Sequence, residues 1–278
     1  REATRLSELT PQQKKSGLAA WLGWTFDGLE LHLYTLVAGP LVMQLLHTTD
    51  SANPAINEKK AYIQAAFLIG WALGGAFFGR LGDLLGRSRA LTLTIITYAV
   101  CTGLCSFAQT WEQLMVFRFI AALGIGGEWA VGASLLSETW PKRWRPWIAA
   151  TLQTAVNIGV LLACFFGYLF ENAEPRYIFL VGVFPALIVL WIRRAVPETD
   201  EWHAARAGSE KPPGLTDLFR GAAAKTTWIV LAICGVSLTA HWTFMFWQQK
   251  YLRDLPEVRD LPLAGQNRAA VIGLMVLM

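Results

Sequence analysis

Arg118 and Glu128 sit ten residues apart inside an apolar run that breaks at Trp140-Pro141 into the basic cluster Lys142, Arg143 and Arg145. A helix of about 20 apolar residues is long enough to cross a bilayer. A charged side chain at that depth costs roughly 2.5–3.5 kcal/mol on insertion scales unless it is paired or faces a water-filled cavity. An arginine, a glutamate and a face of small residues on one spanning helix point to a polar path through a membrane protein. The whole chain agrees with this: it is 54% apolar and 16% charged, with a mean hydropathy of +0.38, values of the membrane class.

Apolar runs recur along the chain. Spans are expected at about 17–46, 61–79, 90–109, 112–138, 147–170, 177–192 and 226–249, with an eighth starting near Arg268. The loop HTTDSANPAINEKK separates the first two, and a polar stretch from Arg193 to Lys225 separates the sixth from the seventh. The expected organisation is an N-terminal tail at 1–16, a six-helix transmembrane bundle at 17–192, a linker at 193–225, and the start of a second bundle at 226–278. Most of that second bundle is expected to be missing. The first span is too long for a cleavable signal peptide and carries Asp27 and Glu30, so it is expected to remain as a span.

Basic residues set the orientation. About 16 of the 24 lie in the tail, the 80–89 loop, the 142–145 loop and the linker, which places the N-terminus in the cytoplasm. The net charge of +4 is modest and lies in loops, so it reads as topology and not as nucleic-acid binding. Cys101, Cys105, Cys164 and Cys234 all lie inside apolar runs and read as inert thiols, with neither a disulfide framework nor a metal site. The fourth span enters from the side opposite to the first, as inverted three-helix repeats require. The first, fourth and seventh spans then occupy equivalent positions, and they carry Asp27/Glu30, Arg118/Glu128 and His241.

Several motifs sharpen the picture. GRLGDLLGRSR at 79–89 joins the second and third spans, RFIAALGIGGEW opens at Arg118, SETWPKRWR begins at Ser137, and PETDEW begins at Pro197. The first resembles the cytoplasmic loop signature of the major facilitator superfamily, departing at Leu84, where an arginine is common. The second resembles that superfamily's glycine-rich fourth span, with Ala122 in place of the first glycine. PETDEW resembles the segment after the sixth span of sugar porters, matching at Pro197, Glu198 and Trp202. GGEW and DGLE look more like the metabolite and organic-acid proton symporters, including the sialic-acid and aromatic-acid branches. The resemblance implies an all-α major facilitator fold. It implies a cytoplasmic charge cluster of Asp83, Arg87, Glu138 and Arg145 that latches one conformation, and a first-span aspartate, Asp27, paired with Arg118.

Each candidate has a plainer alternative. Gly74, Gly79, Gly124 and Gly127 allow close helix approach, with solute contact as the second reading. Asp27 and Glu30 share a helix face at i and i+3; Glu30 either takes part in proton coupling or only hydrates a cavity. Glu128 lies about 15 Å along the axis from Arg118, too far to pair with it on a straight helix. It is a second proton site or a structural partner. Gln153 and Asn157 bind solute or bridge helices, and His241 titrates or sits capped in a core. Ser134 with His241 is the nearest approach to a nucleophile–base pair, but no orienting acid follows, and an enzyme is not expected.

The expected function is a proton-coupled symporter of a small organic anion, working by alternating access. A sugar or polyol porter, or an uncoupled facilitator of the same superfamily, is the alternative. Arg118, Gln153 and Asn157 would bind solute, and Asp27, Glu30 and Glu128 would carry the proton. No cofactor or metal is expected beyond the proton as coupling ion. The expected partners are a small-molecule solute and the lipid bilayer, for a monomer in the inner membrane of a bacterium.

Overall fold

The computed structural model of the protein describes residues 5–50, 53–170, 173–185, 191, 196–207, 214–260, 265, 269 and 272. Among the described residues the regular structure is helical: α1 (Pro11–Leu45), α2 (Pro54–Leu85), α3 (Arg87–Cys105), α4 (Trp111–Thr139), α5 (Arg145–Leu169), a 3-10 helix at Pro175–Val183, α6 (Asp200–Ala207) and α7 (Gly221–Asp254). Among the described residues, five segments are long and apolar enough to cross a membrane: Pro54–Leu85, Arg87–Cys105, Trp111–Thr139, Lys142–Leu169 and Gly221–Ala240. α1 is not among them. It is the longest helix, and Asp27, Glu30 and His32 interrupt its apolar sequence but are buried against protein, where lipid does not meet their charge.

Several helices run past their apolar runs because polar residues cap them. α1 starts at Pro11 and not near residue 17: the Thr10 hydroxyl accepts from Gln13 N–H at 3.2 Å, and the Gln13 side chain accepts from Thr10 N–H at 2.9 Å, a reciprocal cap. α2 begins inside the expected loop, at Pro54, because the Asn53 side chain accepts the Ala55 N–H at 3.0 Å and proline suits the first helical position. Gly86, at φ 105°, divides α2 from α3, a left-handed backbone that favours glycine. The sixth expected span begins as 3-10 helix rather than α-helix; its remainder falls mostly outside the described residues, as does the eighth.

The chain divides into two units, Arg1–Glu210 and Lys211–Met278. In the first, α2 and α3 both pack on α4, and α1 packs on α5. Close backbone approach explains the α2–α4 contact: a Cβ at Gly74 would come within 2.1 Å of the Leu123 carbonyl oxygen. A cluster including Leu33, Leu41, Ile63, Leu114 and Phe179 fills one end of this unit, while Trp24, Leu136, Trp140 and Leu152 form a second cluster. In the second unit α7 exposes Trp228, Ile233 and Val236, a surface suited to lipid.

Candidate functional site

α1 and α4 meet through a buried ion pair. Arg118 on α4 donates from Nη1 to Oε1 of Glu30 on α1, and both residues are at most 1% exposed. The same Glu30 oxygen accepts from the Thr102 hydroxyl of α3 at 3.0 Å. The guanidinium lies over the rings of Phe67, at 4.3 Å, and Tyr34, at 5.0 Å, so aromatic faces further stabilise its charge. Arg118 Nε and Nη2 and Glu30 Oε2 have no hydrogen-bond partner. A buried arginine whose Nε and Nη2 are idle has the geometry to hold a second carboxylate.

Arg118 therefore pairs with Glu30 and not with Asp27, contrary to the sequence expectation. Three residues turn an α-helix by about 300° and advance it by about 4.5 Å; the guanidinium reaches the later carboxyl only. Asp27 stands next to Glu128 instead. Gly23, one turn before Asp27, is so close to Glu128 that a Cβ there would lie 1.6 Å from Oε1, and the two carboxyls interact electrostatically. Both are 0% exposed; the Trp129 indole N–H stands beside Asp27 without reaching hydrogen-bond geometry, and no other donor among the described residues meets their oxygens. Beside them the rings of Trp24 and Trp129 stack at 4.3 Å, and Trp71 meets Trp129 edge-on at 5.6 Å. As the ten-residue spacing requires, Glu128 and Arg118 do not pair.

Gln153 is exposed and Asn157 half-buried on α5, and neither is a partner of the guanidinium, whose remaining donors are idle. The side chain of His241 lies outside the described residues. Of the packing glycines, Gly124 and Gly127 are needed where they stand: a Cβ would come within 2.7 Å of the Thr94 carbonyl oxygen and 2.5 Å of Phe78. Gly79 is not, since its Cβ would make an ordinary 3.7 Å contact with Ala130. Cys101, Cys105, Cys164 and Cys234 are free, and Cys234 is exposed.

A second charged cluster lies at the junction of α2, α3 and α4. Arg87 donates to Asp83 at 2.6 Å and to Glu138 at 2.9 Å. Arg145, expected beside them, donates to the Trp140 carbonyl at 3.4 Å instead and pairs with no carboxylate among the described residues. It opens α5 just past the Pro141 break, where the nearest acceptor is main chain. The segment after the sixth span takes its place. Thr199 donates to Glu138 at 2.6 Å, Trp202 to the Asp83 carbonyl at 3.0 Å, and Glu198 accepts the Ser88 and Arg89 N–H groups at the start of α3.

Sequence reasoning missed Thr102, Tyr34, Phe67 and Thr199 as partners. A hydroxyl among the apolar residues of the third span was the only signal for Thr102; the aromatic residues gave none.

Residues 33–223 match the family model described as sugar (and other) transporter. Similar curated proteins include the sialic acid transporter NanX of Escherichia coli, 29% identical over 89% of this chain and 59% of that protein. A putative metabolite transport protein of Haemophilus influenzae is 33% identical over 86% of this chain and 59% of its own length. A probable 4-methylmuconolactone transporter of Cupriavidus pinatubonensis is 32% identical over 78% of this chain and 50% of its own. The chain thus spans between half and three-fifths of the length of these relatives. Its fold is similar to that of the E. coli xylose transporter XylE in a partially occluded inward-open conformation, with a TM-score of 0.67 at 17% identity over 95% of this chain and 70% of that one.

Proposed function

The chain belongs to the sugar (and other) transporter family of the major facilitator superfamily, and from that premise we propose that it serves a proton-coupled symporter of a small organic anion. The observation that carries this reading is the buried Arg118–Glu30 pair with guanidinium donors left over. A solute carboxylate entering beside Arg118 competes with Glu30 for it. Two carboxylates on one guanidinium in a water-poor interior repel each other, so Glu30 must take a proton as the solute binds. The charge brought in by the anion is then balanced by the proton. Release on the other side of the membrane returns Glu30 to Arg118, and the neutral, empty site can reset. Glu30 takes the role that the sequence had assigned to Asp27.

Relatives named for sialic acid, benzoate, gentisate and cis,cis-muconate favour an acid as solute. The Arg87–Asp83–Glu138 cluster loses its contacts if α2 and α4 part at that end, and so biases two conformations against each other. We place the N-terminus in the cytoplasm and the protein, as a monomer needing no cofactor, in a bacterial inner membrane. The test uses the full-length protein in liposomes with an imposed pH gradient, acidic outside. Accumulation of labelled benzoate or sialic acid that depends on the gradient is expected. Equal uptake with and without it favours an uncoupled facilitator, and uptake of sugars alone favours a sugar or polyol porter.

A further inference from the structure

Tyr98 on α3 is 0% exposed, and its hydroxyl has no hydrogen-bond partner. A buried phenol left unpaired is costly enough to need an explanation. Three contacts, each one helical turn from a carboxyl or from Tyr98 itself, locate it. Thr102, one turn along α3, donates to Glu30. Gly124, one turn before Glu128 on α4, packs on Tyr98 so closely that a Cβ would lie 3.0 Å from the tyrosine Cβ. Gly23, one turn before Asp27 on α1, lies against Glu128. Tyr98 thus shares a face of α3 with Thr102, which meets Glu30 of α1, and packs on α4 one turn from Glu128, which in turn lies against the α1 turn that leads to Asp27. Arg118, the other charged group of α4 in this region, is engaged with Glu30.

We propose that the Tyr98 hydroxyl relays a proton between the Asp27–Glu128 carboxyl pair and Glu30. The inference rests on the proton-coupled reading above. Asp27 and Glu128 stand so close in a water-poor interior that two charges would repel, so one of the two stays protonated throughout and the other loses its proton only in the relay step. In that step this second carboxyl gives its proton to the Tyr98 oxygen while Tyr98 gives its own hydroxyl proton to Glu30. Tyr98 ends neutral, Glu30 ends neutral, and the pair gains the negative charge that Glu30 loses. A proton from the aqueous side then restores the pair, and Arg118 is free for the solute. No hydrogen bond joins the three carboxyls to Tyr98 in this conformation, so the side chains must turn before the proton moves. That requirement ties proton movement to a change in helix packing.

The experiment compares the full-length parent with Tyr98→Phe, Glu128→Gln and the double variant in liposomes. Two quantities are read with labelled benzoate or sialic acid: accumulation driven by a pH gradient, and exchange at equal pH. One pH unit supports about tenfold accumulation for each proton moved. The relay requires each single variant to lose about that factor relative to its own exchange rate, and the double variant to lose no more, because both lie on one path. Accumulation by Tyr98→Phe equal to the parent overturns the relay. So does loss of exchange and accumulation together, or an additive loss in the double variant. A parent that never responds to the gradient instead sinks the proton-coupled reading itself.

Discussion

The Glu198 carboxylate accepts the Ser88 backbone N–H at 3.1 Å, joining the start of α3 to a residue 110 positions later. Its other oxygen takes the Arg89 N–H at the same distance, so a distant glutamate supplies the N-terminal cap that Gly86, lacking a side chain, cannot.

Loss of a cap of this kind costs about 1 kcal/mol. Glu198→Ala is expected to lower thermal stability by that amount and to speed amide exchange at Ser88 and Arg89. Unchanged exchange at those two amides would show that the cap contributes nothing.

Glu30→Gln removes the competitor for Arg118 and keeps its shape. In the parent a solute carboxylate has to displace Glu30 from Arg118; in the variant it does not, so the solute should bind about tenfold more tightly, as loss of one competing charge-assisted hydrogen bond implies. Calorimetric titration of benzoate or sialic acid into both proteins checks this, and equal affinities would show that Glu30 does not compete for Arg118.

Gly74 and Gly79 lie on the same helix but are expected to differ. A methyl at 74 collides with the Leu123 carbonyl, whereas at 79 it makes ordinary contact with Ala130. Gly74→Ala should destabilise the bundle by about 1–3 kcal/mol, the range for overpacking. Gly79→Ala should stay within about 0.5 kcal/mol of the parent. Melting in detergent separates the two.

Arg87→Gln breaks contacts to both Asp83 and Glu138, while Arg145→Gln removes only a main-chain contact. The first should shift the balance of conformations, read as labelling of a cysteine placed in the solute pathway, and the second should leave it near the parent value. Equal shifts would show that the cluster is not the latch.

Much of this was legible in the sequence. Apolar run lengths located the helices, five of them among the described residues long and apolar enough to cross a bilayer, because a bilayer imposes one length scale, and charges inside those runs pointed to Arg118, Asp27, Glu30 and Glu128. The choice between Asp27 and Glu30 was not legible: at i and i+3 both face the same way, and the reach of one guanidinium decides. Helix ends escaped because Thr10 and Asn53 carry helices beyond their apolar cores. Tyr98 and Thr102 are unremarkable residues in a spanning sequence; only the fold brings Thr102 to Glu30 of α1 and Tyr98 against Gly124 of α4. Arg145 had the right residue type and the wrong neighbour, since the break at Pro141 leaves it beside the Trp140 carbonyl.

The hydrogen bonds of Val196, Glu198, Thr199 and Trp202 to the ends of α2, α3 and α4 anchor the segment that leaves the first helical unit. Their backbone is held, so a protease site inserted between Pro197 and Thr199 should be cut slowly, whereas one placed at Arg220–Gly221, exposed between two helices and with Gly221 at φ 58°, should be cut readily. For anyone joining a reporter domain or severing the chain into two co-expressed pieces, the tolerant seam lies at Arg220–Gly221.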